Sequence, residues 1–245
     1  MLDSVRLAVG TLTIVPTGPV DVTPPVARGA MLIAPLAVVP LAAVAVGAGS
    51  LAGLAGWPPL IAGLLVVAAL ALGTRALHLD GLADTVDGLG IGRPPDRALE
   101  IMRRGDVGPM GVVALVLVLG LQAVAVGTLV GGGEWLAAGL LIAGSRLALA
   151  VSCATGIPAA RLDGLGAAVA GTVPRSLAVS AWVLFGAVLA LVIAPWWRGP
   201  IVAGFGLLTA VVLTAYVRRR LGGITGDTLG AAVELTLTAL LLAAL

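Results

Sequence analysis

Residues 107–131 read VGPMGVVALVLVLGLQAVAVGTLVG, a run of twenty-five residues that contains no charged side chain. A helix of about 20 apolar residues crosses the hydrocarbon core of a bilayer, so this run is long enough to span it. On either side of it, six further apolar runs lie between charges or Pro/Gly breaks, at approximately 29–52, 59–79, 135–157, 177–195, 200–217 and 229–245. The sequence therefore predicts an all-α, polytopic integral membrane bundle of about seven transmembrane helices.

The 245-residue chain has the composition of a membrane protein. Hydrophobic residues make up 60% of it and charged residues only 11%, whereas soluble domains carry about 25% charged residues. The net charge of +2 is too small to indicate binding to nucleic acid. The single cysteine, Cys153, can form neither an internal disulfide nor a zinc cluster. Because we find no signal-peptide pattern, soluble domain or internal repeat, we expect one membrane-embedded domain over residues 1–245.

The arginines indicate how the chain is oriented in the membrane. All 14 basic residues are arginine, and alternate connections between the predicted spans share a side. Arg198 falls on one side, and Arg75 and Arg146 fall within spans. Short cytoplasmic loops accumulate positive charge, so we expect a multi-pass protein of the cell's inner (cytoplasmic) membrane with its N-terminus in the cytoplasm and its C-terminus outside. The remaining arginines share the cytoplasmic side: Arg6, Arg28, Arg93, Arg97, Arg103, Arg104, Arg161, Arg175, Arg218, Arg219 and Arg220.

Most acidic residues share that cytoplasmic side, which therefore carries nearly all groups able to bind metal or phosphate. The most informative stretch is residues 77–88, LHLDGLADTVDG. If a helix continues through it, Asp80, Asp84 and Asp87 project within an arc of about 60°. Like charges this close repel, which favours a divalent cation among them, and Mg²⁺ prefers oxygen ligands. The alternative is a solvated helix end, and His78 is either an interfacial hydrogen-bonding residue or a participant in the site.

A second polar stretch, residues 218–234, reads RRRLGGITGDTLGAAVE and joins three arginines, a glycine-rich turn and a helix start. Glycines let backbone N–H groups approach a phosphate, and a helix N-terminus favours an anion. Asp227 or Thr228 is alternatively a helix N-cap, and the arginines are alternatively a positive-inside anchor. Glu234 shares a helix face with Asp227 inside an apolar span, where an ionisable side chain is costly and indicates function.

Other polar segments leave their interpretation open. Arg146, about halfway through the fourth span, must pair with an acid, line a wet cavity or snorkel. Residues 97–104 favour a short amphipathic helix lying on the membrane surface. The loop at residues 161–171 either closes over a ligand or only connects two spans, and Asp106 is a candidate to join the acidic site.

Missing motifs disfavour several enzyme classes. The chain has no Gly-x-x-x-x-Gly-Lys-Ser/Thr loop, no serine nucleophile elbow and a single histidine. ATP hydrolysis and serine-type acyl transfer are therefore disfavoured. Carboxylates, arginines and glycine turns on one membrane face are the ingredients of metal-assisted chemistry on a phosphate ester.

Together these stretches resemble the cobalamin synthase family, adenosylcobinamide-GDP ribazoletransferase, across essentially the whole chain. The most specific matches are residues 77–88 and 221–234. The chain departs from the family pattern at residues 103–106, where an acid is displaced, and at residues 34–36, which lack an aromatic residue and a following glycine. Weaker matches are Arg97 with residues 100–103, Ser145-Arg146, and Gly164-Leu165-Gly166.

The resemblance implies a Mg²⁺-dependent transferase with its active site at the cytoplasmic face. α-Ribazole, or its 5′-phosphate, would attack the phosphate nearest cobinamide in adenosylcobinamide-GDP, so that adenosylcobalamin, or its phosphate, forms and GMP leaves. By the same resemblance, Asp80, Asp84 and Asp87 would hold the metal, and Asp227 and Glu234 would be catalytic. Other corrinoid-pathway enzymes are possible partners, and the Gly-rich spans permit a homo-oligomer. The implied substrate-binding residues are His78, Arg103, Arg146, Gly222, Gly223, Thr225 and Thr228.

Three alternatives stay open on the residues alone. A CDP-alcohol phosphotransferase also uses spaced aspartates, but the Ala-Arg of its signature is missing after Asp80-Gly81. A transporter would use the intramembrane Glu234 and Arg146 as an ion or proton path, although transporter acids usually lie near the midplane rather than at one surface. The third alternative is a non-catalytic membrane scaffold.

Overall fold

The computed structural model describes residues 1–92 and 94–245, with the backbone alone of Ile91. Arg93, one of the arginines predicted to be cytoplasmic, lies outside the described residues. The described chain is helical, with two isolated β-bridges and no strand, which confirms the all-α prediction. The helices are α1 Leu2–Leu12, α2 Pro24–Ala37, α3 Val39–Leu54, α4 Pro59–Gly73, α5 Leu77–Leu89, a 3-10 turn Gly90–Gly92, α6 Pro95–Ile101, α7 Pro109–Gly131, α8 Trp135–Gly144, α9 Leu147–Ser152, α10 Gly164–Val169, α11 Arg175–Val192, α12 Arg198–Leu221 and α13 Gly226–Ala244.

Six helices or helix pairs are long and apolar enough to cross a membrane, and each overlaps a predicted span. Proline explains the break within the first of them. Pro35 lies inside α2 and Pro40 lies in the first turn of α3, with the single residue Val38 between the two helices. Proline has no N–H to donate, and its ring crowds the carbonyl four residues earlier. The six are α2 with α3 (Pro24–Leu54), α7, α8 with α9 (Trp135–Ser152), α11, α12 and α13.

The second predicted span, residues 59–79, is wrong at its C-terminal end. Helix α4 stops at Gly73, and α5 starts at Leu77 with its axis turned by 91°. Arg75 and Ala76 make the corner with φ of 55° each, a left-handed conformation that side chains with a Cβ rarely adopt. Arg75 is therefore not inside a span: it is exposed at the corner, and its Nη2 donates to the carbonyl of Gly10 at 2.9 Å.

The packing of α4 on α7 assigns the two ends of the bundle. A Cβ at Gly63 would overlap the carbonyl of Ala123, and a Cβ at Gly127 would overlap the carbonyl of Pro59. Small residues thus let the two backbones touch, as is common in membrane interfaces. Because the start of α4 meets the end of α7, the start of α7 lies at the same end of the bundle as α5.

The opposite end of the bundle is marked by Arg198, whose Nη2 donates to the carbonyl of Ala244 at 2.9 Å. The start of α12 and the end of α13 therefore meet there, away from α5 and the other charged loops. This agrees with the sequence-based partition of the arginines into two sides.

Two of the spans form the centre of the bundle. In α13 and in α8 with α9, 72% of the most apolar window is buried inside the protein, against 28% to 39% in the other spans. The outer helices instead expose large apolar side chains such as Val116, Leu184 and Leu208, as expected of helices that face lipid. The central position of α13 matters for function because both predicted catalytic acids, Asp227 and Glu234, lie on it.

We predict that Gly127→Ala destabilises the protein, because the new methyl group would overlap the Pro59 carbonyl. Overpacking typically costs about 1–3 kcal/mol, which for a chain of this size lowers the apparent Tm by roughly 3–10 °C. Gly120→Ala in the same helix is the matched control, since nothing lies within 4 Å of its Cβ position. Equal melting temperatures for the two variants, measured in detergent, would contradict the packing described above.

Candidate active site

Helix α5 lies directly against the first turns of α13. A Cβ at Gly81 would lie 2.6 Å from the carbonyl oxygen of Asp227, and a Cβ at Gly230 would lie 3.0 Å from Cα of His78. Only glycine at these two positions lets the backbones come so close. The contact joins the two strongest sequence motifs and places the aspartates of α5 beside Asp227.

A cavity of about 450 Å³ opens at this junction. One wall is polar and is built by α5, the start of α13 and the loop before α10. The other wall is apolar and includes Leu12 of α1, Met31 of α2 and Leu149 of α9. This volume, with a few convergent polar groups on an apolar lining, is typical of a small-molecule site. The polar lining residues are Thr11, His78, Asp80, Arg103, Arg161, Asp163, Thr225 and Asp227.

Arg161 reaches the cavity because its loop pairs with the turn before α13. The Ile224 N–H donates to the Pro158 carbonyl at 2.9 Å, and the Ala160 N–H donates to the Ile224 carbonyl at 2.8 Å. Gly223 permits this pairing, since a Cβ there would overlap the Pro158 carbonyl. Arg161 then donates from Nη1 to Asp227 Oδ2 at 3.4 Å and from Nη2 to the Leu99 carbonyl at 2.8 Å.

The glycine-rich turn shapes the chain rather than facing the cavity. Gly222 ends α12 with φ of 81°, and Gly223 packs on the Pro158 loop, so neither lines the cavity as a predicted substrate-binding residue would. The N-cap of α13 is Thr225, not Asp227 or Thr228. Thr225 lines the cavity, whereas Thr228 is buried and completes the capping box, because its hydroxyl oxygen accepts from the Thr225 N–H at 2.9 Å.

The three aspartates of α5 share a helix face, as predicted, but they do not meet at one point. Asp80 lies in the cavity, Asp84 is buried at 6% exposure, and Asp87 accepts hydrogen bonds from the N–H groups of Gly108 at 2.7 Å and Gly111 at 2.9 Å. Seven residues of helix rise by about 10.5 Å, which is too far for two carboxylates on one ion. The prediction of a shared metal site rested on the angle between the three side chains around the helix axis and not on their separation along it.

Asp87 therefore caps the N-terminus of α7. That Asp87 is a metal ligand stays a prediction, and it is disfavoured because both carboxylate oxygens already accept backbone hydrogen bonds. Asp227 of α13, rather than Asp87, lies near Asp80 and Asp84. The charges of Asp227 and Asp80 both act on Asp84. Within residues 1–92 and 94–245, no three His, Cys, Asp or Glu side chains converge closely enough to hold a metal alone. Mg²⁺ is typically held by one or two carboxylates together with substrate phosphates, so two aspartates suffice.

Glu234 and Arg146 belong to a separate, buried polar network. Glu234 Oε2 accepts from Gln122 Nε2 at 2.9 Å, and its Oε1 lies 3.8 Å from Nδ1 of His78. Arg146 is 1% exposed and donates to the Ile142 carbonyl at 2.8 Å. Glu234 and Arg146 share a space of about 10 Å³, enough for about one water. Of this network, only His78 also lines the large cavity, so Glu234 and Arg146 do not reach a ligand bound there.

Exposed ion pairs lie at the edge of the cavity and on α6. Arg103 Nη2 donates to both oxygens of Asp163 at 3.0 and 3.1 Å, joining the segment after α6 to the loop before α10. On α6 itself, hydrogen bonds from Arg104 and Arg97 hold the pKa of Glu100 below its usual value, and this helix agrees with the predicted amphipathic segment. Asp106 lines a different cavity, together with Asp87, and does not join the acidic site.

Sequence reasoning did not include Arg161, Asp163 and Gln122 among the site residues. Each carried a signal. Arg161 and Asp163 are two charges close together in a chain that uses charge sparingly, and Gln122 is the only glutamine of the chain and lies within an apolar span.

Comparisons with known proteins identify the family of the chain. The family described as cobalamin-5-phosphate synthase matches residues 4–245. A curated relative from Nocardioides sp., named adenosylcobinamide-GDP ribazoletransferase, is 49% identical over 247 residues, which cover 99% of this chain and 98% of the relative. A relative with the same name from Bradyrhizobium diazoefficiens is 39% identical over 94% of this chain and 88% of the relative. Another, from Frankia casuarinae, is 40% identical over 75% of this chain and 70% of the relative. No solved structure matches.

We predict opposite stability effects for two isosteric substitutions on α5. Asp87→Asn replaces one acceptor oxygen by an NH₂ group that faces a backbone N–H, and losing a hydrogen bond to a charged group costs about 1.5–3 kcal/mol. Asp80→Asn removes only a like charge near Asp84, so we expect its apparent Tm to stay or rise. Melting curves in detergent check both. An Asp80 variant as unstable as the Asp87 variant would show that the two carboxylates have the same structural role.

Proposed function

Because this chain belongs to the cobalamin-5-phosphate synthase family, we propose that it catalyses the adenosylcobinamide-GDP ribazoletransferase reaction. In this reaction, a free ribose hydroxyl of α-ribazole, or of its 5′-phosphate, loses its proton and forms a bond to the phosphate nearest cobinamide, and the bond from that phosphate to GMP breaks. The observation that carries the proposal is the convergence of Asp80, Asp227 and Arg161, from three distant segments, on one cavity. The relatives support this reading over a CDP-alcohol phosphotransferase or a transporter.

Mg²⁺ is the metal that the residues present would fit. Asp80 and Asp227 offer carboxylate oxygens at the cavity, and Asp84 lies next to them with like charges acting on it. A hard divalent cation relieves such repulsion, and substrate phosphates complete its coordination. When bound, Mg²⁺ would neutralise charge on the diphosphate and on the departing GMP.

The arginines of the cavity are the proposed ligands of the diphosphate. Arg161 and Arg103 now pair with Asp227 and Asp163. A phosphate carries more charge than a carboxylate and can accept two parallel hydrogen bonds from a guanidinium group. The first turn of α13, which begins at the cavity, adds backbone N–H groups and a positive helix end for an anion.

Asp227 is the proposed proton acceptor for the attacking hydroxyl. Its Oδ2 receives hydrogen bonds from Arg161 at 3.4 Å and from Thr225 at 3.2 Å. The bond from Thr225 would still hold the carboxylate when Arg161 binds a phosphate, and Oδ1, which accepts neither bond, would take the proton. Glu234 has a different proposed role from the catalytic one implied by the resemblance. Because it lies next to His78 and not in the cavity, it acts as a positioning residue that holds the start of α5.

We propose that the cavity faces the cytoplasm and that the bilayer is the cell's inner membrane. Arg103 and Arg161 at the cavity share one end of the bundle with most other arginines, and positive loops are retained on the cytoplasmic side. With the bent pair α4 and α5 counted as one span, the chain crosses seven times and the end of α13 lies outside.

The transferase proposal predicts that GMP and a corrinoid product form from adenosylcobinamide-GDP and α-ribazole only when Mg²⁺ is added. The assay uses protein purified in detergent or reconstituted in liposomes. Asp80→Asn and Asp227→Asn should each lower kcat by about 100-fold or more, as removal of a charge-stabilising group does elsewhere. Asp96→Asn on the exposed first turn of α6 is the matched control and should keep activity. Full activity in the Asp80 variant, or without divalent metal, would overturn the assignment.

The orientation is tested with cysteine labelling of the full-length chain in intact cells, in a Cys153→Ala background. Trp197→Cys lies at the end marked by Arg198 and should react with a membrane-impermeant maleimide, because that end is predicted to be outside. Asp96→Cys should react only after the cells are opened. The reverse pattern would place the cavity on the outer side.

A further inference from the structure

A second cavity, of about 290 Å³, lies between α11 and α12 and shares no lining residue with the substrate cavity. Its walls are almost entirely apolar. Ala178 and Val179 of α11 line this cavity, together with Leu207 and Val211 of α12. Val151 of α9 also lines it. Val179 is 56% exposed and Val211 is 46% exposed, so the groove opens onto the lipid-facing surface of these two spans.

The length of the groove matches one leaflet of a bilayer. Its lining on α12 runs from Leu207 to Arg218, which are eleven positions apart and therefore separated by about 16 Å along the helix. The hydrocarbon core of a bilayer is about 30 Å thick, so a groove of this length, open at the polar end of α12, accommodates one acyl chain of the leaflet on that side.

Two arginines, Arg175 and Arg218, stand at the polar end of the groove. Arg175 starts α11, and its Nε donates to the Thr155 carbonyl at 3.0 Å, which fixes the direction of the guanidinium. In the part of the chain that the structure describes, neither arginine has a salt bridge and no carboxylate lines the groove. Four arginines near the substrate cavity and on α6 do have acidic partners: Arg97, Arg103, Arg104 and Arg161.

We propose that this groove binds one anionic phospholipid of the surrounding leaflet, with an acyl chain along α12 and the phosphate between Arg175 and Arg218. A headgroup with a net negative charge is favoured over a zwitterionic one, because two guanidinium groups without a salt bridge in the described chain line the same groove and one of them lies at the N-terminus of α11. The lipid complements the charge of the pair and fills the apolar space below it.

The bound lipid also lies against the start of the loop that carries Arg161. Ala154 and Ile157 line the groove, and the next residue, Pro158, accepts the hydrogen bond that pairs this loop with the turn before α13. The same loop carries Arg161 into the substrate cavity. Occupation of the groove therefore stiffens the segment that positions Arg161.

The test measures lipid retention by native mass spectrometry, with the full chain equilibrated in an equimolar mixture of phosphatidylglycerol and phosphatidylcholine. The wild type should retain one phosphatidylglycerol in preference to phosphatidylcholine. Arg218→Gln should lower that retention roughly fivefold, since each basic residue at a membrane surface contributes about 1 kcal/mol to anionic lipid binding. Arg219→Gln, one residue further on the same helix and outside the groove, is the matched control and should retain lipid as the wild type does. Ala215→Phe, which fills the groove without a change of charge, should also lose the lipid.

Three results would overturn the proposal. Equal losses in Arg218→Gln and Arg219→Gln would indicate general attraction to a basic surface. Equal retention of both lipids would indicate an apolar groove without headgroup recognition. Displacement of phosphatidylglycerol by excess inorganic phosphate would indicate an anion site that needs no lipid. None of these measurements depends on transferase activity, so the proposal stands or falls independently of the proposed reaction.

Discussion

The contact between α5 and the first turns of α13 is the constraint on which the candidate site depends. Gly81 and Gly230 let the two backbones touch, and a side chain at either position would push the helices apart. This contact sets Asp80 and Asp84 next to Asp227, although about 140 residues separate them in the chain. The 91° corner before α5 serves the same end, because it turns α5 off the axis of α4 and this helix then packs against the first turns of α13.

The polar residues of this apolar chain divide into two groups with different physical roles. Inside the bundle, Gln122 donates to Glu234, and Arg146 donates to the Ile142 carbonyl and to Ser145, although the buried Nε of Arg146 has no hydrogen-bond partner among the described residues. Those at the cavity form pairs that a ligand can replace, since Arg103 and Arg161 bind carboxylates with a geometry that also suits phosphate. His78 lies between the groups and connects the interior to the site.

The parts of the fold that sequence reasoning missed have causes outside the local sequence. Arg75 and Ala76 carry no turn signal, and their left-handed conformation is accompanied by contacts with the N-terminal segment, where Gly10 accepts from Arg75 and Ile14 donates to Gly73 at 2.7 Å. The place of Asp87 was missed for a related reason. Its angle on α5 was predicted correctly, but its partner is the start of α7, which no helical projection of α5 contains.

The sequence by itself determined the membrane class, the number and limits of most spans, the clustering of charge at one end and the two motifs of the site. These follow from local properties, since the length and hydropathy of a run decide whether it can cross a bilayer. Only the tertiary structure decided which charged residues meet. Asp227 and Arg161 line the same cavity as Asp80, Asp87 caps the N-terminus of α7, and neither Glu234 nor Arg146 lines the cavity. The reason is that helix rise, close packing at glycines and loop pairing act between distant segments, and a single sequence does not record their distances.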